Sequence, residues 1–196
     1  MDEETCWLMS GRLFLDAERT KELLSESSDP LFVEPKPSSV ADPGVRCELR
    51  VWEAPHLRDQ YVIIADPSEG VVGGDPCAAA VYQRRTGRHV ASLHGLWRTH
   101  EFAAQLDAVG RLYNDALIVV ERINHGNAVL NALLRLEIAD PLADANASSR
   151  QAYPHVYLDP SDEKPGWKTG QVQRACAMEA FEQAHRSKAW SSPDRD

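Results

Sequence analysis

Two uninterrupted apolar runs stand out along the chain, and each is closed by an acid: Tyr61-Val-Ile-Ile-Ala-Asp66 and Ala116-Leu-Ile-Val-Val-Glu121. Runs of this length, bounded by turn-forming residues, predict strands covered on both faces of a sheet. Upstream, Cys47, Leu49 and Val51 alternate with Glu48, Arg50 and Trp52, the period-two pattern of an edge strand with one wet face. Cys77 to Gln83 and His89 to Leu96 flank Arg84-Arg85-Thr86-Gly87-Arg88, which predicts two antiparallel strands joined by a tight basic turn at Thr86-Gly87. Phe102, Leu106, Val109 and Tyr113 then recur at helical spacing behind Thr99, a capping residue, in a helix ending near Asn114. After Glu121 the period is helical again, with Val129, Leu133 and Leu136 on one face. Toward the ends, Asp16 is placed to cap a short helix to Glu26 with Leu23 and Leu24 facing inward, and a helix is expected from about Val172 to His185 after a short strand around His155 to Leu158.

The elements follow one another as three antiparallel strands, a helix, a strand and a helix, an α/β succession with a mixed sheet flanked by helices. The helix after Leu96 returns the chain so that the Glu121 strand lies parallel to the Asp66 strand. Both acids then stand side by side at the carboxyl edge of one sheet, where open α/β folds hold their ligands. The stretch from Ser27 to Gly44 is rich in proline and serine, which disfavours both helix and central strand. The expected organisation is a helix and linker arm over 1–44, one domain over 45–190 and a tail over 191–196.

Composition narrows the class. With 196 residues, 43% of them hydrophobic, the chain suffices for one filled core. No apolar run approaches the ~20 residues of a membrane span, and the acidic start Met-Asp-Glu-Glu-Thr is unlike a secretory signal, so a cytoplasmic protein is expected. Cys6, Cys47, Cys77 and Cys176 are scattered without a CxxC pair, which suits neither a zinc site nor a disulfide framework. A net charge of -9 opposes broad attraction to nucleic acid. Binding to DNA would need local basic patches and bound cations, and clustered carboxylates attract hard ions such as magnesium or manganese.

Asp66 and Glu121 are the first candidates to share such an ion, although each acid would serve equally well as a cap for the turn or helix behind it. Asp75, after Gly73-Gly74, is a third candidate ligand or a turn former. His125 stands close enough in sequence to orient Glu121 or a phosphate, or else simply opens a helix behind Asn124. Arg84, Arg85 and Arg88, expected toward the same edge as the acids, and Lys168 are candidate DNA contacts or solvated charges.

The words around these residues carry a resemblance. Asp66-Pro-Ser-Glu-Gly70, Gly73-Gly74-Asp75, Tyr113-Asn114, Glu121-Arg-Ile-Asn124-His125-Gly126, Tyr153-Pro154 with Tyr157, and Gly166-Trp167-Lys168-Thr169 resemble, in order and spacing, the nuclease domain of tailed-phage large terminases, over roughly Cys47 to His185. The resemblance implies a ribonuclease H-like fold in which Asp66, Glu121 and, with a less defined role, Asp75 hold two divalent ions roughly 3.5–4 Å apart. It implies an endodeoxyribonuclease that cuts concatemeric double-stranded viral DNA during packaging, in the bacterial host cytoplasm, beside a terminase motor, the small terminase subunit and the portal protein. Two departures qualify it. The family's last acid follows a strand and helix, whereas here the sequence runs Lys188-Ala-Trp-Ser-Ser-Pro-Asp194-Arg-Asp196, so an incomplete C-terminal end is expected. A Gly-x-x-x-x-Gly-Lys-Ser/Thr motor motif is also absent from the sequence, as in a separately encoded or truncated piece of a prophage. A catalytically silent remnant that binds DNA or a partner is therefore the competing reading. An actin-like phosphotransferase, which also opens on a strand ending in Asp, needs a far longer chain.

Overall fold

The computed structural model describes residues 14–135 and 152–194. The six strands are β1 (Phe32–Pro35), β2 (Glu48–Val51), β3 (Tyr61–Asp66), β4 (Cys77–Gln83), β5 (Arg88–Gly95) and β6 (Leu117–Val120), and the helices are α1 (Ala17–Glu26), α2 (Thr99–Leu112), α3 (Gly126–Arg135) and α4 (Gln171–Arg186). The strands form one mixed sheet in the order β1-β2-β5-β4-β3-β6. β6 alone pairs parallel, matching Val62 to Leu117 and Ala65 to Val120 on β3. The chain reaches it from β5 through α2, the crossover a parallel pair requires.

One face of the sheet is the core. Leu49, Val51, Ile63, Ala65, Val81, Leu93, Ile118 and Val120 pack with Phe102, Leu106 and Val109 of α2 and with Val129, Leu130 and Leu133 of α3. The helical periodicity of α2 and α3 is thus a buried stripe; Leu136, expected on the same stripe, lies outside the described residues. Removing these side chains from water is the main stabilisation of the sheet and helix layers.

The other face differs from expectation. β3 and β6 are not covered on both sides: burial alternates along β3, and Ile64 is 54% exposed. Ile64, Ala78, Ala80, Tyr82, Ser92, His94 and Val119 floor an open groove of about 850 Å3. An apolar run of four residues reads the same whether its second face meets protein or floors a groove, and that is why periodicity could not separate the two.

Smaller differences have local causes. β2 is not the edge, because Phe32–Pro35 of the proline-rich stretch pairs antiparallel with it; prolines are compatible with an edge strand, where a missing N–H breaks no ladder. Asp16 caps α1 as expected, accepting from the Arg19 N–H, but the buried residue of that helix is Arg19, and Leu24 is 59% exposed. The Arg19 guanidinium donates to the Trp190 carbonyl and pairs with Glu22. Thr99 is the first helical residue of α2 and Arg98 the cap, with the Glu101 carboxylate accepting the Arg98 N–H. The stretch from His155 to Leu158 makes isolated bridges that line the outer side of β6, through Ile118 N–H to the His155 carbonyl and Tyr157 N–H to the Ile118 carbonyl.

Candidate metal centre

Asp66 is the last residue of β3, and Glu121 follows the last residue of β6. Since Ala65 is the partner of Val120, the next residues on these parallel strands, Asp66 and Glu121, stand at the same end of the sheet. The two-residue period that sends Ala65 and Val120 into the core sends both acids to the groove, whose lining includes them with Trp167 and Asp194. The Asp66 carboxyl is pushed above its ordinary value, first by partial burial, then by the negative charges of Glu121 and Asp75. A carboxyl partly desolvated beside two other acids, with one exposed guanidinium 3.7 Å from Glu121 as the nearby countercharge, is an electrostatic environment that favours a cation. Asp75 thus contributes field at Asp66 but stands exposed in the β3–β4 loop, away from the groove lining. Among the described residues no group of three or more His, Cys, Asp or Glu is gathered closely enough to hold a metal by itself.

Glu121 is positioned by backbone packing. A Cβ on Gly126 would lie 1.8 Å from the Glu121 carbonyl oxygen, so the chain can fold back into α3 behind Glu121 only with glycine there. The following loop is fixed to β6 by Trp167 N–H to the Val120 carbonyl and Arg122 N–H to the Trp167 carbonyl. Gly166 has φ +83°, and a Cβ there would meet Leu130 and the Val120 carbonyl. These contacts bring Thr169 to Glu121, whose Oε1 accepts the threonine hydroxyl at 2.5 Å. Arg174, in the first turns of α4, reaches the same oxygen at 3.7 Å. Among the described residues nothing hydrogen-bonds to Oε2, which leaves that oxygen for a cation.

The loop that supplies Thr169 is anchored by Asp159, a buried carboxylate that accepts from the Ser161 hydroxyl, the Ser161 N–H and the Lys168 N–H. Those hydrogen bonds hold its pKa down at about 2. Arg122 and Asp162 close the loop through a two-armed ion pair, 3.2 and 2.7 Å.

The other sequence candidates divide. His125 begins the turn into α3 with its backbone carbonyl accepting from Ala128 and Val129, and it is absent from the groove lining; the helix-opening role is the one its geometry shows. Lys168 is exposed beside the site loop. Arg84, Arg85 and Arg88 are exposed on the β4–β5 turn as expected, but not at the acids' edge. β4 runs antiparallel to β3 and pairs Gln83 with Tyr61, so the turn lies at the opposite end, five strand steps or about 17 Å from Asp66. There Arg84 and Arg85 line a small cleft with Arg58, Asp59 and Gln60, and Arg88 pairs with Glu53 at 2.5 Å. Asp194 does line the groove, yet it accepts from the Ser92 hydroxyl at 2.7 Å and faces Arg50 at 3.8 Å. Ser92 pairs with Ala80 and Ala80 with Ile64, placing it two strands across from Asp66; Asp196 lies outside the described residues. Thr169 and Arg174 were not singled out from sequence, although Thr169 belongs to the Gly166-Trp167-Lys168-Thr169 motif.

The molecule defined by this sheet and its paired acids has the ribonuclease H-like α/β fold of phage large-terminase nuclease domains. It is similar to the large terminase nuclease of thermophilic phage G20c. The magnesium-bound form of that protein superposes with a TM-score of 0.55 at 15% identity, over 87% of this chain and 71% of that one. The zinc-bound form gives 0.54 at 15% identity, over 88% and 80%, and a further structure of it gives 0.52 at 13% identity, over 88% and 73%. Sequence alone carries less: no protein-family model and no curated protein matches the chain.

Proposed function

We propose that the chain is a divalent-metal-dependent endodeoxyribonuclease domain of a phage or prophage large terminase, with Asp66 and Glu121 as the carboxylates that hold the metal. The observation that carries this reading is the placement of these two acids on adjacent parallel strands, facing one groove, with the Asp66 pKa raised first by partial burial and then by Glu121 and Asp75. The G20c nuclease, solved with magnesium, cobalt and zinc, supports a divalent ion here. Hard carboxylate oxygens favour magnesium or manganese, in the two-ion arrangement that the resemblance implies; Asp75, which lies outside the groove lining, is the third candidate donor by that resemblance alone. When bound, such ions supply Lewis acidity at a phosphate oxygen and lower the pKa of the attacking water.

The chain's own residues prepare the site. Thr169 holds Glu121 through Oε1 and leaves Oε2 without a hydrogen bond among the described residues. Asp66 stays partly desolvated against Glu121, so the pair is arranged before a cation arrives and little reorganisation is needed. The partners proposed with this activity are double-stranded concatemeric DNA, the terminase motor, the small subunit and the portal.

Cleavage of supercoiled plasmid by the purified chain tests the proposal. Manganese, which accepts less regular coordination, should support more cleavage than magnesium, with little from magnesium alone. D66N and E121Q should each abolish it. Brisk magnesium-dependent cleavage that survives both substitutions would overturn the assignment. A silent DNA- or partner-binding module is the second reading, favoured by the absence of a three-acid cluster among the described residues. Calorimetric titration separates the two, because tight two-site manganese binding belongs to the enzyme and weak single-site binding to the module.

A further inference from the structure

Arg174 is the cation that the site already contains. Its guanidinium comes from α4, an element with no residue in the core cluster or in the groove lining, and it lies 3.7 Å from Glu121 Oε1 while 67% exposed. No other ion pair or hydrogen bond of Arg174's side chain is present among the described residues. A guanidinium at this distance from a carboxylate that also carries a threonine hydroxyl is loosely held, and an exposed pair of this kind is worth little in water. Glu121 has two suitors for its negative charge, Arg174 and a divalent ion, and the ion has the greater charge. The planar fork of arginine has a second natural partner in a phosphate group.

Resting on the nuclease reading, we propose that Arg174 is a substrate-binding residue that exchanges partners: it caps Glu121 in the metal-free protein, and when Glu121 holds a cation it turns to a phosphate of the DNA backbone next to the cut. The exchange needs no movement of the sheet. Arg174 lies in the first turns of α4, its side chain is long and largely in water, and the anchoring contacts belong to Thr169 and the loop before it. The arrangement links the two ligands. A bound cation frees the guanidinium for DNA, and a bound phosphate removes a competitor from Glu121.

The test compares wild type, R174Q and R174K by two measurements that do not depend on turnover: manganese titration by calorimetry without DNA, and anisotropy of a labelled short duplex in EDTA across a salt series and with manganese on an E121Q background. R174Q should bind manganese about two- to five-fold more tightly, the range an exposed ion pair allows. On the E121Q background, where no carboxylate holds the guanidinium, it should also weaken duplex binding, with a slope of log affinity against log salt shallower by about 0.9, one phosphate contact. In EDTA with Glu121 intact the change in slope should be smaller. R174K, which keeps the charge, should restore the salt slope. Manganese and duplex affinities both unchanged in R174Q would overturn the exchange, and so would a loss of both, which would make Arg174 a mere support for Glu121. If wild type itself binds no manganese, the nuclease reading fails and the proposal with it.

Discussion

At the scale of single residues, Asp66 shows how an acid proposed as a metal ligand costs stability. Its raised pKa means that the ionised form is disfavoured in the fold relative to the unfolded chain. The penalty is therefore present above the unfolded-state pKa and is relieved as pH falls through the raised folded value. Replacing Asp66 by asparagine should remove that repulsion and raise the melting temperature in EDTA by on the order of 2 °C. Adding millimolar manganese should invert the order, because wild type gains stability from an ion bound only by the folded state and D66N does not. Differential scanning fluorimetry in the two buffers checks this; parallel shifts in both proteins would show that Asp66 carries no ion. How much of the site was legible follows the same chemistry. Asp66 and Glu121 announce themselves because each closes an apolar strand. Thr169 and Arg174 do not, because they reach Glu121 through a loop closed by Gly166 and Asp159, contacts that no periodicity encodes.

At the scale of elements, the loop from Asp159 to Thr169 is the support on which Glu121 depends. Asp159 is held near a pKa of about 2 by its three hydrogen bonds. A depressed carboxylate contributes stability that is present above its unfolded pKa and is lost as pH falls through the folded value, so the window here lies between about pH 4 and pH 2. D159N should flatten the fall in urea midpoint within that window and leave the curve above pH 5 parallel to wild type. At neutral pH it should also lower manganese affinity about 10-fold by loosening Thr169, as loss of a supporting contact around a metal ligand commonly does. Strands β2 to β6 and helices α2 and α3 were readable from period, because α2 and α3 bury one stripe and the core face of the sheet alternates; β1 was not, because the proline-rich stretch that forms it carries no such alternation. The direction of the β4–β5 turn follows from a rule of parity rather than from composition. A strand that ends at the acids, followed by one antiparallel strand, must put the next turn at the far end.

For the whole molecule, charge and topology decide where DNA can lie. A net charge of -9 opposes a duplex everywhere except at local basic groups. Beside the acids these are Arg174, 3.7 Å from Glu121, and Arg50 in the groove lining, whereas Arg58, Arg84 and Arg85 gather about 17 Å away at the other end of β3. For a duplex that crosses the strands at the acids' end, replacing Arg84, Arg85 and Arg88 together by glutamine should leave both the affinity and the salt slope of a 12-base-pair duplex at wild-type values. A slope shallower by about 2 or more would mean that the duplex runs along the strands and reaches the far turn.

The pairing of β6 with β3 is four residues long, and outside it the β6 backbone pairs, among the described residues, only through isolated bridges from the stretch 155–157 and from Trp167. One half of the proposed centre therefore belongs to an interior strand and the other to the margin of the sheet. Local opening is cheapest where fewest neighbours hold the backbone, so the distance between the two acids fluctuates with the peeling of one short ribbon. An ion gripped by both carboxylates would act as a rivet across that seam. Amide hydrogen exchange should report it: with manganese, protection should rise at Ile118, Arg122 and Trp167, whose N–H groups close the margin, while the β3–β4 ladder keeps its rates. Equal protection across both regions would mean that the ion tightens the molecule generally and spans no seam.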